Sequence, residues 1–235
     1  MNKGKIYLIP NSLGNSDLTL VLPPEIKRVI NQLSHFIVEN EKQARRFLKA
    51  AGIEKPISEL KLYPMGKHSD PSLFPSYIKV AKDGESMGVI SDAGCPGVAD
   101  PGAEIVALAH REGVRVAPLT GPSSILLALM GSGFSGQSFV FHGYLPIDRK
   151  DRSRFLKTIE GEARKSGQTQ IFMDTPFRND QVLEDLIKGC HPDTRLCIAV
   201  DITLPSEMIR TLPLSDWKKH PPKLHKRPCM FLVGR

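Results

Sequence analysis

Met87-Gly88-Val89-Ile90-Ser91-Asp92-Ala93-Gly94-Cys95-Pro96-Gly97-Val98-Ala99-Asp100-Pro101-Gly102 is the stretch on which the fold reading turns. Its first four residues form an apolar run of strand length, and the rest is a turn of Gly, Pro, Ser, Ala and Asp. A helical pattern follows over 103–112, then a second strand over 114–119. That strand ends in Thr120-Gly121-Pro122-Ser123-Ser124, which opens another apolar helix. In open α/β sheets ligands sit outside the carboxyl ends of the strands. Small residues there let backbone amides and carbonyls approach a ligand closely. The stretch therefore predicts a site for one organic cofactor.

Outward from this core the same rhythm repeats. Strands are expected at 5–10, 35–38, 60–63 and 87–90, and helices at 24–33, 41–51 and within 71–83. Ile26, Val29, Ile30 and Leu33 recur at helical spacing, and Gly52 stands where a helix would stop. Alternating strands and helices predict a mostly parallel sheet with helices on its faces. The chain loosens at Gly131-Ser132-Gly133-Phe134-Ser135-Gly136, which suggests a boundary between an N-terminal domain, 1–133, and a C-terminal domain, 134–235. The second half reads as strands at 139–142, 169–173, 195–201, 208–212 and 229–233, with helices at 148–165 and 179–188. Closely spaced late strands predict an antiparallel portion and hence a mixed sheet.

Composition is that of a globular chain, 40% hydrophobic and 24% charged. No apolar run reaches the roughly 18 residues of a membrane span. The first residues, Met1-Asn2-Lys3-Gly4-Lys5, lead into a strand and not into a signal-peptide core, so the cytoplasm is the expected compartment. Cys95, Cys190, Cys197 and Cys229 are widely spaced and form no C-x-x-C pair, which argues for reduced, mostly buried thiols and against structural zinc. No His, Asp or Glu cluster has ligand spacing, so no metal is expected, and the lone His68 and His142 read as structural. The net charge of +7 is uneven. Residues 1–133 carry 15 basic and 13 acidic side chains, and residues 134–235 carry 17 and 12. The excess gathers at Arg149, Lys150, Arg152, Arg154 and Lys157, and again at Lys218, Lys219, Lys223, Lys226 and Arg227. Such patches suit a polyanion, because neutralised phosphates release counterions; a solvated helix face and a loop would read the same way.

Exclusion narrows the cofactor. No G-x-G-x-x-G follows the first strand, and no G-x-x-x-x-G-K-[ST] occurs anywhere. The turns 91–102 and 120–124 contain no Lys or Arg, which disfavours a triphosphate. A nucleoside with an amino-acid tail, S-adenosylmethionine, fits better.

The run Ile90 to Gly102 closely resembles the tetrapyrrole-methylase superfamily, and in particular its branch that methylates a cytidine 2′-oxygen in bacterial small-subunit ribosomal RNA. Further matching pieces stand in the family's order: Ile9-Pro10-Asn11-Ser12-Leu13-Gly14-Asn15, Pro118-Leu119-Thr120-Gly121-Pro122-Ser123, Phe139 with Gly143-Tyr144-Leu145-Pro146, Phe172-Met173-Asp174-Thr175-Pro176-Phe177-Arg178, and Met230-Phe231-Leu232-Val233-Gly234. The resemblance spans nearly the whole chain. It implies two α/β domains, S-adenosylmethionine in the cleft between them, and a homodimer. It also implies roles for particular residues. Pro10, Leu13 and Gly14 match the loop that lines the cleft. Ser91, Asp92, Ala93, Gly94, Cys95 and Val98 match the segment that holds the methionine and ribose parts. Gly121, Ser123 and Ser124 match the small-residue turn beside the cofactor, and Met173 the strand end that packs on it.

A ribose hydroxyl is a poor nucleophile until its proton leaves, so a base would help. Glu39, Asp174 and Asp201 each stand at a predicted strand end and are the candidate catalytic residues. Arg149, Lys150, Arg152, Arg178, Lys218 and Lys219 are the candidate substrate-binding residues, with ribosomal RNA or the small subunit as partner. The chain departs from the RNA branch at Val38-Glu39-Asn40-Glu41-Lys42, at Val200-Asp201-Ile202-Thr203-Leu204 and at Lys226-Arg227-Pro228. The cofactor segments are thus better kept than those expected to face the acceptor. Two other readings share the same cofactor: a C-methyltransferase of a corrin or porphyrin precursor, and a binding factor with little catalysis. The first turn, Asn11 to Asn15, lacks the Gly-x-Gly-x-Gly-Asp common in corrin and porphyrin methylases, which favours the RNA branch.

Overall fold

The computed structural model describes residues 3–67 and 69–235; Met1, Asn2 and His68 lie outside the described residues. The chain forms two compact units, Met1–Ser123 and Ser124–Arg235.

The first unit runs β1 (Lys5–Ile9), α1 (Leu18–Val21), α2 (Pro24–Gln32), β2 (His35–Val38), α3 (Glu41–Ala50), β3 (Lys61–Pro64), α4 (Phe74–Lys82), β4 (Met87–Ile90), α5 (Ala103–Arg111) and β5 (Arg115–Pro118). Its sheet has the order β3-β2-β4-β1-β5, and every pairing is parallel. All four residues of β4 are buried, as a strand covered on both faces requires. Local chemistry sets the helix ends. Pro24 occupies the first turn of α2, where its missing N–H costs nothing. The Asn40 side chain accepts from the Gln43 N–H and starts α3. Helix α2 turns Ile26, Val29 and Ile30 inward, the face its sequence spacing predicts.

The second unit runs α6 (Ser124–Ser132), β6 (Phe139–Tyr144), α7 (Arg149–Ser166), β7 (Thr169–Met173), α8 (Asn179–Gly189), β8 (Arg195–Val200), β9 (Met208–Pro213), α9 (Leu214–Lys219) and β10 (Cys229–Gly234). Its sheet, β6-β7-β10-β8-β9, is mixed: β6 and β7 are parallel, and β10 runs antiparallel to β7 and β8. Asp148 caps α7 by accepting from the Lys150 and Asp151 N–H groups, and Gly167 ends it in the left-handed conformation. A stacked pair, Phe172 and Phe231, lies at the heart of the core with rings 5.7 Å apart.

A parallel first sheet and a mixed second sheet are what the sequence predicts. The division of the chain differs. Sequence loosening suggests a break after residue 133, but α6 packs with the second unit. Gly131 lies against Ile209, and the Thr211 hydroxyl donates to the Ser132 carbonyl at 2.6 Å. Helix α6 is apolar on nearly all sides, so the core it joins depends on neighbours and not on its own pattern.

Candidate functional site

Three turns interlock at the carboxyl ends of β1, β4 and β5. The Asn11 N–H donates to the Gly94 carbonyl at 2.8 Å. Asn11 Nδ2 donates to the Ser91 and Asp92 carbonyls at 3.3 and 3.0 Å. The Gly94 N–H reaches back to the Ser12 carbonyl at 3.4 Å, and Ser12 Oγ donates to the Gly14 carbonyl. Cys95 Sγ lies 3.4 Å from the Pro122 carbonyl, tying in the third turn. Two glycines make this approach possible. Gly94 has φ +64°, and a Cβ there would sit 3.3 Å from Leu13. A Cβ on Gly121 would lie 2.2 Å from the Pro10 ring. Pro10, Leu13, Gly14, Ser91, Asp92, Ala93, Gly94, Cys95 and Gly121 are therefore gathered in one place within the first unit. Val98, half exposed, stands in the same turn. Ser123 closes the first unit, whereas Ser124 opens α6 and Met173 ends β7 in the second.

The gathered turns are acidic. Glu39 follows β2; its N–H donates to the Ile90 carbonyl, and its Oε2 accepts from the Asp92 N–H at 3.0 Å. Capping of α3 falls to Asn40, which leaves Glu39 to bridge two strand ends. Burial, and then the Glu39 charge, raises the Asp92 carboxyl above the usual range. Asp100 is pushed up to about 6 by burial, with Glu39 and Asp92 adding to the shift. Sequence reasoning passed over Asp100. Its signal was a second aspartate in a turn already holding Asp92, within a chain segment free of lysine and arginine. The Cys95 thiol is raised by burial and does not act as a ready nucleophile.

In the second unit the loops after β7 and β8 meet the loop before β10. Asp174 is buried; its Oδ1 accepts from the Thr175 N–H and from Arg178 Nε at 2.7 Å, while Oδ2 has no partner among the described residues. Asp201 Oδ2 accepts from Arg227 Nε and Ser206 Oγ, both at 2.8 Å. Two of the three candidate bases thus hold arginines in place. Arg178, read from sequence as either a phosphate ligand or a local partner, pairs with Asp174.

The basic patch on α7 needs one correction. Arg149 and Lys150 are exposed, but Arg152 is only 4% exposed. Its guanidinium donates twice to Asp185 Oδ2, at 2.9 and 2.7 Å, and to the Pro146 and Ile147 carbonyls. It lies one helical turn from exposed cations, yet faces α8. Position on the helix face, and not residue type, decided its role. Lys218 and Lys219 are exposed at the end of α9, with Lys219 paired to Asp216 at 2.9 Å. His142 bonds Gln170 at 2.8 Å, a structural contact. Cys95, Cys190, Cys197 and Cys229 are all free thiols. Among the described residues no helix is long and apolar enough to cross a membrane.

The family model for tetrapyrrole (corrin/porphyrin) methylases matches residues 13–217. The chain is 28% identical to the ribosomal RNA small subunit methyltransferase I of Pseudomonas aeruginosa, over 100% of this chain and 80% of the relative. It is 26% identical to the protein of that name from Escherichia coli O157:H7, over 99% and 78% of the two chains. Among solved structures, the methyltransferase CobJ superposes with a TM-score of 0.65 at 20% identity, covering 99% of this chain and 94% of that one. A Thermus thermophilus uroporphyrin-III C-methyltransferase, solved with S-adenosylhomocysteine, superposes at 0.56 with 16% identity, covering 99% and 98%. With the family model matching residues 13–217, this chain belongs to the tetrapyrrole methylase family.

Proposed function

We propose that the chain is an S-adenosylmethionine-dependent methyltransferase whose acceptor is a cytidine ribose 2′-hydroxyl in small-subunit ribosomal RNA. The observation that carries the reading is the set of turns joined through Asn11, Gly94 and Gly121. The donor set there fits the cofactor. Backbone carbonyls and amides can hold its amino-acid end, and Glu39, Asp92 and Asp100 suit a ligand bearing a sulfonium and an ammonium. Glu39 Oε2 is engaged with Asp92, which leaves Oε1 to accept from a ribose hydroxyl. Pro10, Leu13, Gly14, Ser91 to Cys95, Val98, Gly121 and Ser123 form the proposed cofactor set; Ser124 and Met173 join it on the resemblance alone. When bound, S-adenosylmethionine supplies an activated methyl group, so the chain's own work is in-line positioning and exclusion of water.

Asp174 is the proposed proton acceptor, because Oδ2 remains unpaired beside an Oδ1 fixed by Arg178. Arg149, Lys150, Lys218 and Lys219 are the proposed phosphate contacts. The full-length similarity to the named ribosomal RNA methyltransferases supports the acceptor class. A homodimer in the cytoplasm completes the proposal. The test is transfer of labelled methyl from S-adenosylmethionine to small subunits or their RNA, with the product mapped as a 2′-O-methylcytidine. Incorporation only into a corrin or porphyrin precursor would overturn the acceptor while leaving the donor in place.

A further inference from the structure

Phe177 stands in the loop after β7 with 68% of its surface exposed, an unusual place for an aromatic ring. The loop that carries it is held firmly. The Lys226 N–H donates to the Pro176 carbonyl at 2.9 Å, Asn179 Nδ2 to the Arg227 carbonyl at 2.7 Å, and the Leu224 N–H to Asp180 Oδ1 at 2.8 Å. These bonds stitch the Phe177 loop to the 220–228 loop on both sides of the ring. Exposed His225 meets Phe177 edge to face, with ring centroids 5.9 Å apart and planes at 72°. Lys223 and Lys226 flank His225, are exposed, and form no ion pair among the described residues.

Strain and unmet polar groups concentrate in the same loops. Among the described residues four non-glycine residues have positive φ, and three of them, Asp201, Thr203 and Lys226, lie here. Among the described residues four buried polar side-chain atoms lack partners, and three of them, Asp174 Oδ2, Asn179 Oδ1 and Thr203 Oγ1, lie in these loops or at the start of α8. Left-handed non-glycine backbone is strained and gathers at ligand clamps. Single-stranded nucleic acid is held by a rigid aromatic face for a base and lysines for the flanking phosphates.

We infer that Phe177, braced by His225 and flanked by Lys223 and Lys226, is a stacking platform for an unpaired nucleotide of the RNA acceptor. The inference rests on the ribosomal RNA reading and adds to it the surface that holds a splayed base. An anionic tetrapyrrole could also lie on an aromatic ring with its carboxylates on the lysines; the similarity to named ribosomal RNA methyltransferases favours RNA, and the test separates the two.

The test uses the full chain and a short single-stranded oligoribonucleotide carrying one 2-aminopurine. Phe177→Ala and Phe177→Leu should each weaken binding roughly tenfold, the lower part of the range for loss of one stacked base. Phe177→Trp should restore affinity and the quenching of 2-aminopurine, which Leu should not. Phe177 packs into no core cluster, so the variants keep the fold, and calorimetry should show S-adenosylmethionine binding unchanged in all of them. Lys223→Ala with Lys226→Ala should flatten the salt dependence of binding by roughly 0.7 per lost phosphate contact, whereas the Phe177 variants should leave it as it is. If wild-type protein methylates small-subunit RNA and the Phe177 variants do so with unchanged kcat/KM, the platform is refuted and the RNA reading stands. If wild-type protein binds the cofactor but neither binds nor methylates RNA, the RNA reading itself falls. Loss of uroporphyrin binding in Phe177→Ala, with RNA binding intact, would assign the ring to the other ligand class and overturn the inference.

Discussion

The strand-end turns of the first unit and the loops at the β7–β8 end of the second unit differ in charge and in backbone. The first set carries Glu39, Asp92 and Asp100 with no lysine or arginine in either of the 91–102 and 120–124 turns; the second carries Arg178 and Arg227 paired with Asp174 and Asp201, and two further lysines, Lys223 and Lys226, on the loop whose His225 meets exposed Phe177. The first takes its left-handed positions largely on glycine, with Ala99 the exception; the second takes them on Asp201, Thr203 and Lys226. The contrast matches two kinds of ligand. A small cationic nucleoside wants close backbone and negative charge, whereas a nucleic acid wants positive charge and a flat apolar face. In the proposed reading, donor chemistry and acceptor chemistry fall on separate loops of separate sheets.

Substitutions can break this contrast or sharpen it. The largest effect is expected inside the basic half. Arg152→Met should cost about 2–3 kcal/mol of stability, measured by urea denaturation, because buried Asp185 loses both Arg152 donors and keeps only Arg149 at 3.3 Å and Gln181 at 3.0 Å. RNA affinity per folded molecule should not change, and a flattened salt slope would return Arg152 to the interface. Gly94→Val should cost roughly 1–2 kcal/mol for the left-handed backbone and abolish cofactor binding by calorimetry, with RNA binding retained. Intact cofactor affinity in that variant would dissolve the distinction between the two regions. Lys218→Glu with Lys219→Glu should lower the salt slope of RNA binding by roughly 1–2 and leave the cofactor untouched. Lys218, which has no acidic partner among the described residues, should account for most of it.

The smallest effect concerns pH. Asp100 titrates near 6 in the folded chain against 3.8 ordinarily, so the folded state binds its proton more tightly. Stability from this group is present below the unfolded value and is lost as pH rises from about 4 through 6. Asp100→Asn should remove that decline in a series of thermal melts. Cofactor affinity should run the other way in the wild type, rising as Asp100 ionises through pH 6, and should become flat in the variant. A wild-type affinity that does not change across this window would remove Asp100 from the cofactor's field.

Legibility differed between the two regions for a physical reason. The first set of turns is largely local: one strand and the turn that leaves it carry most of the contacts, so Ser91 to Cys95 could be singled out from sequence, whereas Asn11 and Asp100 were not. The second is assembled from segments far apart in sequence, with Asp201 held by Arg227 and Phe177 resting beside His225. No periodicity announces such meetings. Arg152 shows the same limit: a cation in a basic run reads as surface until Asp185 on another helix is seen beneath it.

Alternation of strand and helix and the small-residue turns determined, from sequence alone, the α/β class, the kinds of sheet and the turns at the strand ends that hold no lysine or arginine. These are properties of neighbours along the chain, where backbone freedom and apolar spacing act directly. The tertiary structure alone decided which cations are exposed, which carboxylates are already paired, that α6 belongs to the second unit, and that a ring and two lysines from separate loops share one surface. Those outcomes depend on which segments pack together, and packing brings into contact residues that no local pattern links.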